Sequence, residues 1–350
     1  SEMCIRDSSR TLYRRGTLGY YTHLLSSFVS TITTRWTRCR GTMVGVPFQS
    51  SGRILLSKNS RMEWWWVVIP LAIIVAFLIV SVVRSNFTSE IPKIIWTYWV
   101  EEKPPEVVQK CIESWKRHNP DYDVRLLNKN TVSQWVPELK LNELKHNDKP
   151  ARESDFTRLS ILSKYGGFWV DASIIMNESL EPLRQIQMKK RCEFIGYYLE
   201  GFTTRPEYPV IESWFFACVP GSSFVQQWRD EFMSLNDHDN ADDYVTAKRE
   251  SGVDLQKIDS PNYLAIHVSA QTVMQKLLGT EEVSRRLHLL KAEDGPYKWL
   301  KSANWDIVKG LKNLCNDPSL KTSIIKLRGS ERDAIQNNKE LGCVYRIFDS

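Results

Sequence analysis

Two absences narrow this 350-residue chain before any motif is considered. None of its seven cysteines forms a CxxC pair, so the ligand spacing of a structural zinc site is missing. Cys111, Cys192, Cys218, Cys315 and Cys343 are widely spread and odd in number; they leave room for one or two disulfides in an oxidising lumen without choosing the partners. A basic surplus is also missing where the chain should fold. The net charge is +6, yet residues 1–61 carry ten Lys/Arg against two Asp/Glu, and residues 85–350 carry 36 against 38. The folded part therefore gives no electrostatic case for nucleic acid. No internal repeat is visible, and the acidic stretch Asp237–Asp243 reads as a solvated loop rather than a metal site. Tryptophan, by contrast, is plentiful, with 13 residues. Most belong in a core or at a membrane interface, and some are available to line sugar or base sites.

Residues 1–61 lack periodicity and are rich in Ser, Thr, Arg and Gly, as in a transit-type leader. The opening SEMCIRDS also resembles translated sequencing adapter, and Met62, just ahead of the first strong apolar run, is the expected start. Trp64–Val83 is apolar apart from Ser81, with one proline, Pro70. It is long enough to span a ~30 Å hydrocarbon core as a helix. Trp64, Trp65 and Trp66 suit the headgroup level at one end, and Arg84 closes the other. The expectation is a leader over 1–61, a transmembrane anchor over 62–84, a linker over 85–90 and a globular domain over 91–350. Such a single-pass protein would face a Golgi or other endomembrane lumen in a eukaryote, or sit in the inner membrane of a bacterium. With residues 1–61 present the positive-inside rule puts the N-terminus in the cytosol; without them Arg84 and Lys93 pull weakly the other way. Asn86-Phe-Thr88 and Asn177-Glu-Ser179 fit glycosylation sequons.

Strand and helix signals alternate through the globular part. Ile91–Trp99 and Tyr122–Leu127 read as strands around a helix, Glu106–Arg117, with Val107, Val108, Cys111, Ile112 and Trp115 on one stripe. This βαβ order predicts an α/β sheet with crossover helices, whose ligand would lie beyond the C-terminal ends of the strands.

The stretch Ala151–Ile174, ARESDFTRLSILSKYGGFWVDASI, carries the chemistry. Pro150 marks a helix start. Asp155, Arg158, Leu159 and Leu162 share a face that should pack inward, where charges are costly unless paired or liganded. Gly166-Gly167 ends the helix. Phe168–Ile175 then reads as one strand, with Asp171 and Ser173 on the same face as Trp169. An acid there needs a cation or several donors. Hard oxygen ligands hold a divalent cation, an Arg grips a diphosphate, and a carboxylate accepts from ribose hydroxyls. Alternatively, Asp155 and Arg158 form a plain i, i+3 pair and Asp171 caps a turn.

The SDxxR…KYGGxWxDA pattern resembles glycosyltransferases with a DxD-type sugar-binding segment, including glycosyltransferase family 32 and the clostridial-toxin glucosyltransferases. The capsular polysaccharide synthesis protein family is more similar still. Ile91–Trp99, Cys111–Asn130, Phe215–Ala217, His267–Gln271, Ala292–Tyr297 and Lys326–Arg332 also resemble that family. The resemblance implies a GT-A-type, Rossmann-like nucleotide-sugar-binding fold, a UDP-linked donor, Mn²⁺ or Mg²⁺, a glycan, polysaccharide or glycolipid acceptor, and retention at the anomeric carbon. No His or Glu declares itself as the base that inversion needs. By motif matching, Asp155 would bind ribose or sugar hydroxyls and Arg158 the sugar or diphosphate. Asp171 would be the first acid of the DxD-type motif, Trp99 would stack on the base, and Lys326 and Arg328 would close over the diphosphate. Ser173 departs from the pattern by replacing the second acid, so Asp171 and Ser173 would share the metal with a further residue such as His267 or Glu293. That departure also admits a membrane-tethered carbohydrate-binding or scaffold protein on a degenerate fold. A hydrolase using Asp155 and Asp171 as acid and base is a third reading, which requires Asp155 to be free of Arg158.

Overall fold

The computed structural model describes residues 68–75, 90–147 and 149–348. The leader over 1–61 and most of the predicted span at Trp64–Val83 lie outside them. Residues 68–75 are helical and exposed. Among the described residues no helix is long and apolar enough to cross a membrane.

The predicted βαβ unit is present. Strand β1 (Ile94–Tyr98) leads to helix α1 (Glu106–His118) and back to β2 (Asp123–Leu127), which pairs parallel to β1. The stripe from Val107 to Trp115 is buried as its helical spacing requires. Helix α2 (Pro150–Tyr165) then runs into β3 (Gly167–Val170), which pairs parallel with β1 on its other side. Beyond it follow β4 (Ile174–Met176), α3 (Glu181–Lys190), β5 (Phe194–Tyr198), β6 (Ile211–Cys218) and α4 (Ser223–Met233). Then come α5 (Ala241–Glu250), α6 (Ala265–Thr272), α7 (Gly279–Arg286), β7 (Leu287–Lys291), α8 (Ile307–Asn316), β8 (Ile324–Lys326) and α9 (Gly329–Asn337).

The main sheet has the order β2-β1-β3-β6-β5-β7, and β4 and β8 form a separate two-stranded sheet. It is an α/β sheet, as predicted, but a mixed one: β6 runs antiparallel to both β3 and β5. Alternation along β3 and β6 divides the core. Phe168, Val170, Phe215 and Ala217 face a layer with Trp115, Leu311 and Ile335; Trp169, Phe216 and Cys218 face one with Leu159, Trp228 and Val268. Helix α1 thus covers one face and α2 the other. The first crossover runs from β1 to β2 on one side of β1 and the second returns from β2 to β3 on its other side, so the strand order reverses at β1 and a crevice opens beyond the carboxyl ends of β1 and β3.

Two glycines make the turn into β3. Gly166 has φ +62° with ψ −159° rather than the left-handed helical conformation expected of a C-cap, and Gly167 has φ +96°. A Cβ on Gly166 would stand 2.6 Å from the Pro220 nitrogen, and one on Gly167 2.8 Å from the Ile94 carbonyl oxygen. Close backbone approach and positive φ together demand glycine at both.

Phe168–Ile175 is not one strand. The chain leaves the main sheet at Asp171, whose N–H donates to the Trp214 carbonyl at 2.9 Å, and re-forms as β4 against β8. Alternation is therefore lost after Asp171: Ile174 and Ile175 pack into the same core layer. Cys315 and Cys343 form a disulfide across 28 positions, and Cys111, Cys192 and Cys218 are buried thiols. The Asn177 sequon is closed in the fold, since its Nδ2 donates to the Thr322 carbonyl at 2.8 Å and its Oδ1 is buried.

Candidate active site

The crevice at the ends of β1 and β3 is a cleft of about 1040 Å³. Trp99, Asp155, Arg158, Asp171, Ser173, His267, Lys326 and Arg328 all line it. Residues from five segments of the sequence are thus brought to one place.

Helix α2 supplies Asp155 and Arg158. Its start is anchored by buried Glu153, which accepts from the Tyr98 hydroxyl at 2.6 Å and pairs with Lys129 at 2.8 Å. One turn on, the two charged residues sit at 8% and 5% exposure. Arg158 Nη1 donates to the Ser213 carbonyl at 2.8 Å and lies 3.3 Å from Asp155 Oδ1. Its Nη2 reaches Ser154 Oγ at 3.0 Å and Asp171 Oδ1 at 3.2 Å. Asp155 is therefore bound to Arg158, which removes the condition that the hydrolase reading needed.

Asp171 is surrounded by donors. Oδ1 accepts from Arg158 and from Trp169 Nε1 at 3.1 Å, and Oδ2 accepts from Lys326 Nζ at 2.8 Å. Burial pushes its carboxyl up, but Lys326 and Arg158 outweigh that and hold it below the usual carboxylate range. At Asp155 burial wins over the pull of Arg158, and the carboxyl is raised. Two acids in one cleft are thus driven in opposite directions.

Lys326 comes from β8, whose pairing sets Lys326 opposite Ile174. Arg328, just before α9, is held by buried Glu331, with Nε and Nη2 at 2.9 and 2.7 Å from Oε1. Trp99 presents one face of its ring to the Arg332 guanidinium, 5.0 Å away. Some unpaired polar atoms belong to residues that line the cleft: Trp99 Nε1, Arg158 Nε, Trp214 Nε1 and His267 Nδ1 are buried with no partner among the described residues. Such groups are uncommon in finished interiors, and in a cleft they are donors and acceptors that a ligand or water can satisfy.

The expected metal set is not assembled. Ser173 Oγ donates to the Leu327 carbonyl at 2.8 Å, and Lys326 occupies the free side of Asp171. His267 Nε2 sits 3.5 Å from Glu212 Oε2. Glu293 accepts from the Glu200 and Gly201 N–H groups at 3.1 and 3.0 Å and is not part of the cleft lining. Among the described residues no group of three or more His, Cys, Asp or Glu is placed to hold a metal ion. The donor set does not fit a divalent cation, because an ammonium already stands on the carboxylate that would bind it.

Glu212 and Trp214 were not singled out by the sequence, although both line the cleft. Glu212 is a buried acid in a strand that is apolar apart from it and Ser213, a signal like the one that marked Asp171. Trp214 stacks on Tyr197 with ring centroids 5.5 Å apart, and Lys326 Nζ lies 5.7 Å from its ring.

Fold and cleft define an α/β protein with a buried cluster of alternating charge at a topological switch point. Residues 76–249, just under half of the chain, match the family of capsular polysaccharide synthesis proteins. It is 28% identical to the O-glycosyltransferase braB of Annulohypoxylon truncatum, over 44% of this chain and 39% of that protein. It is 27% identical to the glycosyltransferase afumC of Aspergillus fumigatus, over 41% and 40% respectively. The chain therefore spans about two fifths of the length of these curated relatives. Among solved structures, a glycosyltransferase involved in glycosylation of the major capsid of PBCV-1 aligns with a TM-score of 0.38 at 11% identity, covering 69% of this chain and 96% of that one. The galactosyltransferase LgtC with donor and acceptor sugar analogues aligns with a TM-score of 0.36 at 9% identity, covering 73% and 94%.

Proposed function

We propose that this chain is a glycosyltransferase of GT-A type that binds a nucleotide sugar, most simply UDP-linked, in the cleft and transfers the sugar to a glycan, polysaccharide or glycolipid acceptor. The observation that carries the proposal is the cluster of Asp155, Arg158, Asp171 and Lys326 at the switch point, with ion-pair distances of 2.8–3.3 Å. A nucleotide diphosphate gains negative charge as the glycosyl bond breaks, and fixed cations held in a partly desolvated site stabilise that charge.

Each residue then has a role. Trp99, at the end of β1, offers its open ring face to the base. Asp155 accepts from ribose or sugar hydroxyls, for which a buried carboxyl short of donors is suited. Arg158 and Lys326 face the diphosphate, Arg328 flanks it, and Asp171 holds both cations in place. In the step itself, the bond from C1 to the donor's phosphate oxygen breaks with its electron pair leaving on the diphosphate, and the acceptor oxygen bonds to C1. The acceptor's hydroxyl proton passes to the departing diphosphate oxygen. Retention is the proposed outcome. The Glu212–His267 pair in the same cleft favours a second outcome, inversion, because it supplies a group able to take that proton. We also place the protein at a membrane through Trp64–Val83, on the strength of that apolar run alone.

Mass spectrometry of products from a panel of sugar nucleotides tests the reading, and NMR of the product's anomeric proton separates retention from inversion. A folded chain that binds no sugar nucleotide and transfers no sugar would support the scaffold reading instead.

A further inference from the structure

We infer that Lys326 is a built-in counter-cation for the donor's diphosphate, so that nucleotide binding in this cleft requires no divalent metal. The inference rests on the nucleotide-sugar reading of the same cleft and sharpens it.

Three observations lead there. First, both oxygens of the Asp171 carboxylate already accept from donors of the protein. Arg158 and Trp169 donate to Oδ1, and Lys326 donates to Oδ2 at 2.8 Å. A divalent ion bound to Oδ2 would share one oxygen with an ammonium group, placing two cations within a few ångströms at a site only partly open to solvent. Second, position 173 supplies no acid to offset that repulsion. Ser173 stands where a second carboxylate would be needed, and its hydroxyl is committed to the Leu327 carbonyl. Third, Lys326 is built in rather than draped over the surface. It is 6% exposed, and its backbone is fixed by pairing with Ile174 and by the N–H donated to the Pro296 carbonyl at 3.2 Å.

Charge accounting agrees. Asp155 and Asp171 are matched by Arg158 and Lys326, so the cluster is balanced before a ligand enters. An ammonium has three N–H groups, and Asp171 takes one. Phosphate oxygens entering the cleft can accept from the others while Asp171 keeps the side chain oriented. Burying a lysine to pair with a single carboxylate gains little stability, whereas a lysine that is also required by an anionic ligand has a reason to be there.

The test is titration calorimetry of the full chain with UDP, GDP and uridine, in EDTA and again in millimolar Mn²⁺. The expected result is that UDP or GDP binds in EDTA with a Kd within threefold of that in Mn²⁺. Lys326→Ala and Lys326→Gln should each weaken diphosphate binding at least tenfold in EDTA and leave uridine binding within twofold, which a general loss of structure would not do. Binding at least tenfold tighter in Mn²⁺ than in EDTA overturns the inference and leaves the glycosyltransferase reading standing. So does diphosphate binding that is unchanged in both variants, or uridine and diphosphate binding that weaken together. Failure of the folded wild-type chain to bind UDP or GDP in either buffer overturns both.

Discussion

Lys326 Nζ lies 2.8 Å from Asp171 Oδ2, although 155 positions separate the two residues. Substituting Asp171 therefore does more than delete a ligand-facing acid. Asp171→Asn should reduce transfer at least a hundredfold while keeping the shape of the site. Asp171→Ala should do the same and also lower stability by ~2–3 kcal/mol, less than the ~3–5 kcal/mol typical of a severed buried pair because the carboxylate is 25% exposed. Initial rates and urea melts of both variants check this; wild-type turnover by Asp171→Asn would remove Asp171 from the site.

Arg158 makes its contacts as a planar fork, with Nη1 at the Ser213 carbonyl and Nη2 at Ser154 and Asp171. A lysine keeps the charge and cannot span those positions. Arg158→Lys is expected to lower kcat/KM roughly ten- to hundredfold, with a larger effect on kcat than on KM. Steady-state kinetics on the identified donor measures that split.

The two cleft acids should leave opposite marks on the pH dependence of stability. Asp171 is held below its ordinary value, so its contribution is present above the unfolded pKa and is lost as pH falls through the folded one. Asp155 is raised, so its contribution is present below the unfolded pKa and disappears as pH rises through the folded one. Asp171→Asn should therefore flatten the acid side of a Tm-against-pH curve. Asp155→Asn should gain on the wild type between acid and neutral pH, while losing donor binding. Calorimetric melts across that range decide it, and parallel curves for wild type and Asp155→Asn would contradict the assignment.

Gly166→Ala should cost roughly 2–5 kcal/mol, combining a backbone conformation that other residues avoid with a clash against the chain at Pro220. Thermal denaturation and soluble yield report the effect. Cys315→Ser opens the disulfide to Cys343 and should cost ~3–4 kcal/mol through the freed chain. A matching loss on adding dithiothreitol to the wild type would confirm that the bond itself is responsible.

How much of this was legible in the sequence depends on distance along the chain. The buried stripe of α1 and the helix, glycine pair and strand around Gly166 follow from local periodicity and backbone chemistry, and they appear where the pattern puts them. The break at Asp171 does not: no Gly or Pro announces it, and only the pairing of β4 with β8 pulls the chain out of the main sheet. The antiparallel placement of β6 is equally silent, because sheet order is decided by packing between segments rather than within them. Lys326 was suggested only by family resemblance, and the partner it would meet could not be read from its surroundings. Glu212 carried a readable signal, an acid in a mostly apolar strand, but sat outside the resembling motifs.

The two-stranded sheet of β4 and β8 also fixes when the cleft can exist. Ile174 must wait for Lys326, and a chain emerging from the ribosome in order completes that pairing long after Ile174 itself has been made. A product truncated before Ile324 would retain all six strands of the large sheet, yet lack the strand that carries the ammonium group. A chain that has not yet supplied Ile324–Lys326 therefore lacks one of the two cations that flank Asp171.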